Sequence, residues 1–161
     1  MVLDAFVEGC DESFSCAYRG FAKFKCEIFR GWNEDLGKLY DENFRYLWQG
    51  FDTTKENSFD FNGLIKLHYE RENGIVGQKI KKILNEFDKP YNEGMKLFYD
   101  LGDNEVSPKE CKIILDAFER VNVEKFDKSD EYTNEWLIEG YNTWKIMLKY
   151  AVDNNVNLIV G

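Results

Sequence analysis

The stretch from about Asp130 to Asp153 constrains the fold more than any other part of this chain. Trp136, Leu137, Tyr141, Trp144, Leu148 and Ala151 recur at helical spacing and so share one face of a long helix that Asn154-Asn155 bring to an end. So large an apolar stripe is stable only when another layer covers it. The rest of the chain must supply that cover.

The beginning of the chain reads as β. Leu3, Ala5 and Val7 alternate with Asp4, Phe6 and Glu8, and the polar run Gly9 to Ser13 breaks the pattern. From Phe21 to Arg30 the alternation returns. Ala22, Phe24, Cys26 and Ile28 fall on one face and Lys23, Lys25 and Glu27 on a solvated one, so a second strand is expected, extended by Phe14 to Tyr18. Asn33 is a good N-cap for a first helix carrying Leu36, Leu39, Tyr40, Phe44 and Leu47 and closing at Gly50. Phe51 to Asn62 has no period and reads as a surface loop. Ile65, Leu67 and Tyr69 alternate with Lys66, His68 and Glu70, which predicts a strand over 64–70 before the Asn73-Gly74 turn.

The second half is helical. Ile80, Ile83, Leu84 and Phe87 form a stripe that ends before Pro90, and Met95, Leu97 and Phe98 predict a short helix closing at Gly102. Ser107-Pro108-Lys109-Glu110 has the form of a capping box with proline at the first helical position, followed by Ile114, Leu115 and Phe118. Val156 to Val160 predicts a short final strand. The expectation is a single α+β domain over 1–161, with a small, mainly antiparallel sheet of N-terminal strands packed by C-terminal helices.

Charge narrows the function. With 21 basic and 30 acidic residues the net charge is −9, which weighs against direct nucleic-acid binding and against an anionic membrane surface. It suits a partner with a basic surface. Met1-Val2-Leu3-Asp4 lacks a basic leader and no apolar run approaches a membrane span, so a cytoplasmic protein with reduced thiols is expected. Cys10, Cys16, Cys26 and Cys111 include no CxxC pair; with His68 they allow a Cys3His zinc set on paper, but inert thiols are the plainer reading. No metal or cofactor is called for.

Catalytic chemistry finds little support. His68 is the single histidine and sits among charged residues, and neither GxxxxGK[ST] nor GxGxxG occurs. Asp100 to Glu105 gathers oxygen ligands but misses the register of a calcium loop, so a polar turn before a capped helix is expected. With 30 acidic residues, no carboxylate pair is informative. Aromatics can stack a base or line a pocket, a role open to Trp136 and Trp144, for which plain core duty is the commoner reading. The stronger candidates are the loop phenylalanines Phe51, Phe59 and Phe61. Ringed by Asp52, Glu56 and Asp60, they have the form of a partner-binding anchor within a charged rim, although the loop could equally fold back over the sheet.

Three segments carry a resemblance: Val7-Glu8-Gly9-Cys10 with Ser13-Phe14 and Tyr18, then Ser107-Pro108-Lys109-Glu110-Cys111, then Val156-Asn157-Leu158. Together they resemble a group of uncharacterised small proteins encoded by bacteriophages and prophages. The resemblance covers both ends of the chain and leaves 51–89 unmatched. It implies a phage accessory protein in a bacterial host cytoplasm, and it carries no site residue. The function expected is therefore non-enzymatic: inhibition of a bacterial antiviral defence protein by direct binding. The alternatives are a sponge for a nucleotide immune signal and a small carboxylate or metal-dependent hydrolase. Self-association through a two-fold patch is also open to so aromatic a domain.

Overall fold

The computed structural model describes residues 2–49, 66, 69–86 and 91–161. Strand β1 (Val2–Val7) turns back into β2 (Ser13–Ala17) through a loop where Gly9 takes a φ of +85°, a left-handed value that side chains oppose. The two pair antiparallel, with Leu3 opposite Cys16 and Ala5 opposite Phe14. On the other side of β1 lies β4 (Leu158–Val160), which also pairs with β3 (Asn104–Val106). The order across the sheet is β2-β1-β4-β3, antiparallel throughout. Leu3, Ala5 and Val7 are buried beneath helices, while Val2, Asp4 and Phe6 face outward, so the alternation read from β1 holds. The protein has the expected α+β architecture.

The second strand is a correction. Tyr18–Trp32 forms helix α1, and only Ser13–Ala17 of that region is strand. Part of the apolar set satisfies both periods: Phe24 and Ile28 alternate with Lys23, Lys25 and Glu27, and they also stand at helical spacing with each other and with Phe21. The middle of α1 is buried on nearly every side, so Lys25 and Glu27, expected on a solvated face, are buried too. Of the strand expected over 64–70, residues 64, 65, 67 and 68 lie outside the described residues, and the described ones are not strand. Lys66, Tyr69 and Glu70 are helical, and a helical turn over 69–73 ends at Gly74, whose N–H donates to the Glu70 carbonyl at 2.7 Å. Lys66 and Glu70 form an i,i+4 ion pair at 3.9 Å, a spacing that only a helix brings together.

Three of the remaining helices start where the sequence signals them, after Asn33, Ser107 and Asp130. Helix α2 (Glu34–Phe44) is capped by Asn33, whose side chain accepts the Leu36 N–H at 2.9 Å; it stops short of the expected Gly50 and gives way to α3 (Tyr46–Gln49). Helices α4 (Ile75–Glu86) and α5 (Tyr91–Tyr99) follow. The capping box of α6 (Pro108–Phe118) is complete: Ser107 Oγ accepts the Glu110 N–H at 3.2 Å and Glu110 Oε2 accepts the Ser107 N–H at 2.9 Å. Asp130 caps α7 (Glu131–Asn154), and Asn155 ends it in a left-handed conformation. Helix α5 crosses α6 closely at Gly94, where a Cβ would lie 2.4 Å from the Ile113 carbonyl oxygen.

Between sheet and helices sits an aromatic core. The fully buried Trp144 of α7 meets Phe14 of β2, Phe21 and Phe24 of α1 and Phe98 of α5, at ring separations of 5.6–6.3 Å. Such edge-to-face and stacked contacts add to the large apolar area each ring removes from water. Buried charge fastens the segment before α7 to α1. The Glu27 carboxylate meets Lys23 at 3.1 Å and accepts the Asp127 N–H at 2.9 Å, while Lys23 also reaches Asp127 at 3.0 Å.

Candidate functional site: a cleft beside helix α1

A cleft of about 560 Å³ opens between α1, the turn over 69–73 and the α5–β3 connection. That volume lies within the range of small-molecule sites. Phe21, Ala22 and Lys25 of α1, with Tyr40, Tyr99 and Leu101, supply its buried lining. Tyr18, Arg19, Tyr69, Asn73, Lys81 and Asp100 stand exposed around it.

Lys25 organises the interior. Its Nζ donates to the Tyr99 and Leu101 carbonyls, each at 2.8 Å, and lies 5.0 Å from the centre of the Phe21 ring. A cation at this point suits the negative end of α5 and ties the α5–β3 connection to α1. Burial pulls the Lys25 ammonium down to about 8, against the opposing influence of Glu72 and Asp100. Tyr99 donates its hydroxyl to Glu72 Oε2 at 2.7 Å, and burial together with that carboxylate holds the phenol above its ordinary range. Tyr18 donates to Asp103 Oδ1 at 2.8 Å, which likewise raises its phenol.

Two cations remain uncommitted. Arg19 and Lys81 have neither a hydrogen bond nor an ion pair among the described residues. Three cations and two carboxylates line the cleft, Arg19, Lys25 and Lys81 against Glu72 and Asp100, so its local sign opposes that of a chain carrying −9. The start of α1 adds to this. Ala17 offers no side-chain cap and the first turn of α1 holds no carboxylate of its own beside Arg19.

The residues singled out from sequence fall elsewhere. Phe51, Asp52, Glu56, Phe59, Asp60 and Phe61 lie outside the described residues, as does His68. Trp144 is core and not pocket, because rings close round it on all sides. Trp136 is half-buried against Phe14 and Phe24 and lines a second hollow with Trp48 and Tyr132. The segment after Asp100 is a turn into β3: Asn104 Oδ1 accepts the Gly102 N–H at 3.0 Å, and Asp103 holds Tyr18. All four cysteines are free. Burial pushes the thiols of Cys16 and Cys111 up to about 11 and that of Cys26 to about 12, which makes them poor nucleophiles. Among the described residues no group of three metal-ligating side chains occurs, and no helix is long and apolar enough to cross a membrane.

The sequence assigns none of the cleft residues to a binding site, although Tyr18 belongs to the resemblance and Asp100 to the segment that gathers oxygen ligands. The one available signal is Tyr18-Arg19, an aromatic and a cation at a helix start, and the strand reading of α1 hid it. Comparison with protein-family models, curated proteins and solved structures gives no match to this chain.

Proposed function

We propose that the protein acts by binding, and that the Lys25 cleft sequesters a nucleotide, the class that the sponge reading of the sequence named. The observation that carries this is one cavity combining aromatic walls with two cations, Arg19 and Lys81, that have no partner among the described residues. Aromatic faces stack bases, and guanidinium and ammonium groups pair with phosphate. The polar groups suited to acid–base work are already engaged, Lys25 by two carbonyls and Tyr99 by Glu72. A phage accessory role, in which such binding blunts a host defence signal, is consistent with the resemblance at both ends of the chain. A second reading, inhibition of a host protein by direct contact, is favoured by the net charge of −9, which suits a basic partner surface.

Thermal shift against a panel of mononucleotides, cyclic nucleotides and ADP-ribose tests the first reading. A ligand at about 100 times its Kd stabilises the native state by about 2.7 kcal/mol, a readily measured rise in Tm. The double variant Arg19→Ser, Lys81→Ser is expected to keep its own Tm and lose that rise. If no member of the panel moves Tm, the cleft is not a nucleotide site.

A further inference from the structure

Arg19 has a cavity on either side. Beyond the cleft, a hollow of about 510 Å³ is walled by Trp48, Tyr132 and Trp136, and Arg19 is the residue that both cavities share. The same two helices line both. Helix α1 gives Ala22 to the cleft and Gly20 to the hollow, while α3 gives Leu47 to the cleft and Trp48 to the hollow. Each cavity therefore has aromatic side chains in its lining, Trp48 with Lys23 Nζ 5.7 Å over its ring, and Arg19 borders both.

Charge decides how the two are used. In the hollow, Lys23 is already neutralised by Glu27 and Asp127, at 3.1 and 3.0 Å. An anion entering there depends on Arg19, as does one bound at the near end of the cleft. Two separate phosphates would compete for that guanidinium and repel each other. One phosphate joining two planar groups satisfies it without that conflict, because its oxygens match the guanidinium fork.

We propose that the cleft and the hollow together hold one ligand, a dinucleotide, with a base in each cavity and the linking phosphate on Arg19. This rests on the nucleotide reading of the cleft and specifies its ligand class. Joining the two bases makes the second contact intramolecular, so the linked ligand gains over either half.

Calorimetric titration with AMP and with the linear dinucleotide pApA separates the possibilities. The intact protein is expected to bind pApA at least ~10-fold tighter than AMP, the advantage of a second tethered contact. Tyr132 is 78% exposed, so Tyr132→Ser leaves the fold alone; it is expected to remove most of the pApA advantage over AMP. Arg19→Ser is expected to weaken pApA strongly. Equal affinities for AMP and pApA, or a pApA advantage untouched by Tyr132→Ser, would overturn the bridging ligand and leave the cleft as a mononucleotide site. Binding of neither ligand, with the panel also silent, would remove both readings.

Discussion

Helix α1 presents two faces to two different surroundings. Phe24 and Ile28 are fully buried on its core side, and Phe24 meets Phe14, Phe98 and Trp144 at ring separations of 5.0–6.3 Å. On the other side Tyr18, Arg19, Ala22 and Lys25 border open space. Phe21 belongs to both, stacked on Trp144 at 6.0 Å and lining the cleft. Both faces are aromatic, so aromatic content does not distinguish a core from a site. The difference lies in the company the rings keep. Rings that fill one another's gaps exclude water, whereas phenols held by Glu72 and Asp103 and flanked by uncommitted cations keep a cavity open and charged.

The core face should be the costly one to disturb. Trp144→Ala is expected to lower unfolding free energy by about 4 kcal/mol, in the range for truncating a buried aromatic, as read from denaturant melts. A loss below about 1 kcal/mol would mean that the rings around Trp144 do not pack as one unit.

Lys25, on the boundary between the faces, gives an effect that depends on pH. Its ammonium titrates near 8 in the folded state, below its ordinary 10.5, so between those values the unfolded chain binds the extra proton. Stability contributed by this group therefore rises with pH across that window, by of order 2–3 kcal/mol. The thiols of Cys16, Cys26 and Cys111, raised from 9.0, act in the opposite sense above pH 9 and are common to both proteins compared. Lys25→Met is expected to lack the rising contribution, so the gap between wild type and variant should shift in favour of wild type from pH 8 to 10. Parallel stability curves would show that Lys25 titrates normally.

The smallest effect is expected at the open face. Arg19→Ser should change stability by no more than about 0.5 kcal/mol, as for an exposed side chain that has no partner among the described residues. A larger loss in the same melts would make Arg19 part of the scaffold and erase the contrast between the faces.

Much of the fold was legible in the sequence because several elements carry local signals that do not depend on their neighbours. Asn33, Ser107 and Asp130 cap the helices they precede, and β1 alternates cleanly because one of its faces is wet. Helix α1 was illegible for the opposite reason. Residues buried from several directions lose their 3.6 period, and what remained matched a period of 2 just as well. That misreading placed Lys25 in solvent and hid the cleft, since burying a lysine is worthwhile only where carbonyls such as those of Tyr99 and Leu101 receive it. Those acceptors lie more than seventy positions away along the chain. The strand β3 was missed because three residues with one buried side chain carry no period at all.

The strand order has a consequence for how the protein is made. Translation delivers β1 and β2 before β3 and β4, and the first pair can form a hairpin at once. The opposite edge of β1 waits for β4, which is synthesised some 150 residues later and occupies the place between β1 and β3. At about 5–20 residues per second, that edge stays unpaired on the ribosome for roughly ten seconds or more. Throughout that interval it offers a template for pairing with a neighbouring chain. Asp4, whose backbone later exchanges hydrogen bonds with Gly161 at 2.7 and 2.9 Å, then places a carboxylate on the exposed side of that waiting strand. A charge in such a position discourages nascent chains from joining edge to edge before β4 arrives.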